Sequence, residues 1–138
     1  MELIIDDTCT LSEIQESFCA RFPFLKLEFF EFDPEEEKIF SKQNLITGKN
    51  IKVGHIRHIR NMGKVVIHEK QIVSDLEKEF KEGFGIYIQV FRKSGTNWLL
   101  TTATDSWSLA EQNMKGAEMN SPIPGEPVDD SEQYHEQP

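Results

Sequence analysis

The chain has 138 residues, 38% of them hydrophobic and 28% charged, with a formal net charge of −9. That length fits one domain with a core of ordinary size. No apolar run approaches the roughly 20 residues of a membrane helix, and the opening Met1–Asp7 lacks the basic and apolar regions of a secretory signal, so a cytoplasmic protein with no membrane association is expected.

In chain order, a first strand is expected at 2–6. Thr10-Leu-Ser-Glu13 has the form of a capping box and opens a helix that ends near Phe22, before Pro23. A second strand follows at 25–32, its alternation placing Leu25, Leu27 and Phe29 on one face and Lys26, Glu28, Phe30 and Phe32 on the other. The run Asp33-Pro34-Glu35 breaks it. The insertion 33–63 has no clear counterpart elsewhere; Thr47-Gly48-Lys49-Asn50 is a turn signal within it. A third strand is expected at 64–69, a second helix at 72–83 stopped by Gly83 or Gly85, and a fourth strand at 86–93. Lys93 to Asn97 reads as a hairpin into a fifth strand, Trp98 to Thr104. Ser108-Leu-Ala-Glu111 is a second capping box, opening a short helix that ends at Gly116. The stretch 117–138, with four prolines, six acids and no base, reads as a disordered tail.

Residues 2–31 and 64–92 align with one gap. Leu11, Ile14, Phe18 and Phe22 match Val73, Leu76, Phe80 and Phe84, spaced by three, four and four, one face of a helix. Each copy reads β-α-β. The expected fold is therefore α+β, a ferredoxin-like βαββαβ domain over 1–116 built from pseudo-repeats 2–32 and 64–93, with an extra C-terminal edge strand and a short helix. Strands one and three would lie side by side at the centre. The outer sheet face would present Phe30, Phe32, Tyr87 and Phe91, to be covered by the insertion, by the C-terminal helix, or by a partner or second copy.

Charge is segregated: 1–40 carry eleven acids and three bases, while 41–64 carry six bases and no acid. Lys52, His55, Arg57, His58 and Arg60 form a basic segment that would pair with Glu35–Glu37, with the acidic tail, or with an anionic ligand. His55 and His58 at i,i+3 could face a metal on a helical turn, but the flanking arginines oppose it and no third ligand lies in the segment, so no metal and no cofactor are expected. The acidic total argues against nucleic acid. A second polar group comprises Arg92, Lys93, Thr101, Thr102, Thr104, Asp105, Gln112 and Asn113, where the helix start at Ser108 would offer free N–H groups to an anion. Asp6 and His68, matching positions in the two copies, could meet at strand ends as an acid–base pair. The cysteines, Cys9 and Cys19, are too few for a disulfide framework: Cys19 reads as a packed small residue and Cys9 as the more accessible one. GxSxG, HExxH, Walker A and GxGxxG signatures are missing.

The run Val90-Phe91-Arg92-Lys93-Ser94-Gly95, followed by Trp98-Leu99, Thr101-Thr102, Thr104-Asp105 and Gln112-Asn113, resembles a small family of uncharacterised bacterial proteins over most of 64–116. The resemblance implies a bacterial, intracellular domain and carries no activity, cofactor or catalytic residue. The expected function is a non-enzymatic module binding a partner protein or a small anionic ligand. The rivals are an enzyme with a polar pocket near Asp105/Ser108 or at Asp6/His68, and an oligomeric scaffold.

Overall fold

The computed structural model describes residues 1–33, 45–48, 50–56 and 63–120. In chain order these form β1 (Glu2–Ile5), α1 (Leu11–Arg21), β2 (Leu25–Phe30), β3 (Leu45–Ile46), a 3-10 turn at Val53–His55, β4 (Gly63–Val66), α2 (Val73–Phe84), β5 (Tyr87–Ser94), β6 (Asn97–Leu100), a second 3-10 turn at Thr102–Thr104, and α3 (Leu109–Asn120). The fold class is α+β, as the alternation of periods in the sequence dictates.

Local chemistry sets the element ends. Thr10 caps α1 through the expected capping box, its hydroxyl accepting from Glu13 N–H while the Glu13 carboxylate accepts from Thr10 N–H. Gly85 ends α2 in the left-handed region at φ 65°, where a Cβ would be strained, and its N–H returns to Lys81 and Phe80 carbonyls. β6 stops at Leu100, short of the expected Thr104. Both the N–H and the hydroxyl of Thr101 donate to the Val90 carbonyl, and the chain then tightens into the 3-10 turn.

Gly116 does not end α3, which continues to Asn120, four residues into the expected tail. The glycine serves contact instead: a Cβ there would stand 2.7 Å from the Phe24 Cβ and 3.2 Å from the Phe24 carbonyl oxygen.

The apolar stripes of α1 and α2 are buried as their spacing requires. Leu11, Ile14, Phe18 and Phe22 join Val73, Leu76, Phe80 and Phe84 in one core with Leu25, Leu27, Phe29, Ile88 and Val90. Leu3, Ile5, Val65 and Ile67 enter the same core, leaving Ile4 on the outside.

The sheet topology departs from the ferredoxin-like expectation. Among the described residues the strands form two antiparallel sheets, a ribbon β1-β4 and a four-stranded sheet of order β3-β2-β5-β6. The first and third expected strands are indeed neighbours, but the second and fourth pair with each other rather than flanking them. Leu3 faces Val65 in the ribbon and Glu28 faces Gln89 in the larger sheet. Each of these pairs joins matching positions of the two aligned stretches.

The correspondence runs further along the chain. Phe30 pairs with Leu45 as its match Phe91 pairs with Leu100. The Leu11 N–H donates to Ile51 O and Val53 N–H to Cys9 O, as Val73 N–H donates to Trp107 O and Leu109 N–H to Gln71 O. The backbone bonds made by Leu45, Ile51 and Val53 thus run parallel to those made by Leu100, Trp107 and Leu109, a likeness of backbone groups that the side chains do not announce.

Candidate functional site

Arg92 lies on the inner face of β5, in phase with Ile88 and Val90 and opposite Leu25. The close approach of α3 at Gly116 brings that helix onto the Arg92 stem, which a Cβ at Gly116 would meet at 3.3 Å. Gln112, fully buried on α3, accepts from Arg92 Nη1 at 2.8 Å and donates through Nε2 to the Thr104 carbonyl and hydroxyl, both at 2.7 Å. The guanidinium stands over the Trp107 ring, 5.8 Å from its centroid, a cation–π arrangement. Burial pushes its pKa down from the ordinary arginine value. Asn113 accepts from Phe24 N–H at 2.9 Å, tying α3 to the start of β2.

Of the second polar group, the structure therefore gathers Arg92, Thr104, Gln112 and Asn113. Lys93 points to the opposite sheet face beside Trp98, and Thr102 is exposed in its 3-10 turn. Asp105 contributes its carbonyl, which accepts from Ser74 N–H at 2.9 Å.

The helix start at Ser108 offers no free donors. Ser108 Oγ accepts from Glu111 N–H, while Leu109 and Ala110 donate to Gln71 O and Glu69 O. The start of α2 is closed in return, Val73 and Ser74 donating to Trp107 O and Asp105 O. Each helix start is thus capped by the segment leading into the other, and the anion-binding capacity expected there is already spent.

The outer face of the four-stranded sheet carries Lys26, Glu28, Phe30, Tyr87, Gln89, Phe91, Lys93, Trp98 and Leu100 by register. The Lys26 ammonium lies over two rings, 4.9 Å from the Trp98 centroid and 5.7 Å from that of Phe91. Phe91, Trp98 and Leu100 remain half-exposed beside it. Phe30 is 3% exposed and drops out of the proposed interaction face, whereas Phe32, past the end of β2, is 58% exposed. The C-terminal helix does not cover this face, since α3 packs on the side of Arg92.

A cleft of about 310 Å³ opens between α2 and the start of β5, lined by Glu77, Lys81, Tyr87 and Gln89 among others. Its charges answer one another: Lys81 pairs with Asp33 and Lys78 with Glu82. The buried Glu77 carboxylate accepts from Val90 N–H at 3.1 Å, closing a strand edge that β6 no longer reaches.

The other expected sites separate. Lys52 and His55 are exposed, with Lys52 bridged through its backbone to Thr10; Arg57, His58 and Arg60 lie outside the described residues. Asp6 and His68 do not meet, because the ribbon is antiparallel: Ile5 pairs with Gly63 while Met1 bonds Ile67, so the two residues stand at opposite ends, roughly 20 Å apart. Asp6 instead accepts from Thr8 N–H, Thr8 hydroxyl and Cys9 N–H, and the Thr8 hydroxyl above all holds its carboxyl below the usual range. Cys9 is half-buried; burial first, then Glu13 and Asp6, push its thiol up, which disfavours the reactive thiolate. Among the described residues no cluster of three or more His, Cys, Asp or Glu could hold a metal, and no helix is long and apolar enough to cross a membrane.

Compared with protein-family models, curated proteins and solved structures, the chain matches none. Two residues that shape these surfaces escape sequence reasoning, Trp98 and Trp107, whereas Lys26 falls on the outer face as its alternation predicts. The hairpin register is a signal for Trp98, since it sets that residue opposite Lys93 on the same face as Phe91. Trp107 has no such signal, since only the approach of α3 brings it beneath Arg92.

Proposed function

We propose that this protein is a non-enzymatic binding module that receives a partner protein on the outer face of its four-stranded sheet. The observation that carries this reading is the Lys26 ammonium lying over both Phe91 and Trp98, beside the half-exposed Leu100. Rigid aromatic side chains flanked by a cation are the usual anchors of protein interfaces, and they lose little conformational entropy on binding. A sheet fixes their spacing better than a loop would.

The same reading takes the two halves as copies of one β-α-β-β unit, supported by the matched hydrogen bonds at Leu11 and Val73 and at Val53 and Leu109. The side chains on the outer face have diverged within that shared plan: Lys26 stands where the second half has Tyr87. One molecule would then present one such surface rather than two.

The test is capture from cells that express the protein, followed by reconstitution with the purified captured protein. Trp98→Ala and Phe91→Ala should each weaken the reconstituted complex by about 2 kcal/mol or more, with circular dichroism unchanged. Unaltered affinity in both variants would end the reading. Concentration-dependent sedimentation abolished by Trp98→Ala would instead assign the face to a second copy of the chain.

A further inference from the structure

Among the described residues, nothing answers the charge of Arg92. Its Nη1 is held by a neutral amide, Gln112, and its Nε is sealed from solvent without a partner. Among the described residues no carboxylate lies within 4.0 Å of the guanidinium. The groups that hold it in place, Gln112, Trp107, Phe24 and Gly116, are all uncharged. In a chain with 24 acidic residues, a half-buried cation left to neutral neighbours is a distinctive arrangement. Charges out of water are ordinarily paired.

One edge of the group stays available. Nη2 has no hydrogen bond among the described residues and is not sealed beneath the surface. The guanidinium carbon stands 5.8 Å from the Trp107 ring centroid, so a ligand meets the group at this remaining N–H edge, a contact that a carboxylate oxygen makes well. The neighbouring helix starts, whose N–H groups would help to grip a tetrahedral anion, are closed by backbone carbonyls.

We propose that Arg92 receives a carboxylate at Nη2, supplied by a small carboxylic acid or by an acidic side chain of another protein. Gln112, locked on Thr104, sets the guanidinium orientation, and the Trp107 ring lies beside it. This site lies on the opposite side of β5 from the outer face, so it stands or falls independently of the partner reading.

The test is an NMR titration of the full chain with sodium acetate, sodium phosphate and sodium chloride at matched ionic strength, following the Arg92 side-chain and Trp107 indole signals. A second arm uses the neutral-ended peptide acetyl-Gly-Glu-Gly-amide. Saturable shifts with acetate or the peptide, absent with chloride and weakened about tenfold or more in Arg92→Gln, are expected, since a charge-assisted bond is lost. Tighter binding of the peptide than of acetate assigns the source to a protein side chain, and the reverse order to a small acid. Non-saturating shifts, equal shifts with chloride, or phosphate binding as tightly as acetate would overturn the proposal. Arg92→Lys provides a charged control, and the wild-type titration alone decides the matter if neither variant folds.

Discussion

Glu28 faces Gln89 on the outer sheet surface, and burial raises its carboxyl pKa, opposed by the nearby Lys26. A carboxyl whose pKa is higher in the folded than in the unfolded chain destabilises the fold once ionised. That cost is absent at low pH and grows as pH rises through the ordinary value of 4.5 and beyond. Glu28→Gln should therefore raise the melting temperature at pH 7, and the gain should close as the pH falls below that value. Because the group is still half-exposed, water screens it and the gain is small, ~0.5 kcal/mol. A melting temperature unmoved at pH 7, or lowered there, would contradict this account. At Gly116 the constraint is steric. Gly116→Ala places a methyl against Phe24 backbone and side chain, and the overpacking outweighs the better helix propensity of alanine. A net loss of about 1–2 kcal/mol in urea unfolding is expected; a neutral or stabilised variant would show that α3 can shift without cost.

At the scale of elements, the starts of α2 and α3 are bound to each other's leading segments. First-turn amides of a helix normally lack partners and exchange quickly. Here Val73, Ser74, Leu109 and Ala110 all donate to carbonyls across the contact. Their hydrogen exchange should be slow, and the four should lose protection together when either segment opens. Exchange as fast as at an exposed helix start would show that these bonds do not persist. The elements themselves are largely legible in the chain. The stripe Leu11, Ile14, Phe18, Phe22 and its match in α2 announce two helices, and the capping box at Thr10 marks the start of the first. Gly116 misleads because a glycine that ends a helix and one that admits a neighbour look alike in sequence. β6 ends early for a similar reason: Thr101 continues the β-favouring composition while its hydroxyl is already committed to Val90.

For the whole molecule, the hidden quantity is strand partnership. Alternation says which face of a strand is apolar but not which neighbour it takes, so β1 beside β4 and β2 beside β5 satisfy the same pattern as a single ferredoxin-like sheet. Site residues follow suit. Arg92, Gln112 and Asn113 are legible as a group because they flank one hairpin and one helix. Asp6 and His68 are not a pair, because in antiparallel neighbours registered at Leu3 and Val65 each lies three residues on in the opposite direction.

The strand partnerships have a bearing on how the chain is made. Leu3 waits for Val65 and Glu28 for Gln89, each about 60 residues later. While the polypeptide emerges from the ribosome, α1 can close on β2, but β1 and the β5-facing edge of β2 wait several seconds for their strand partners. The order of its strands thus makes closure of both sheets a late event in synthesis.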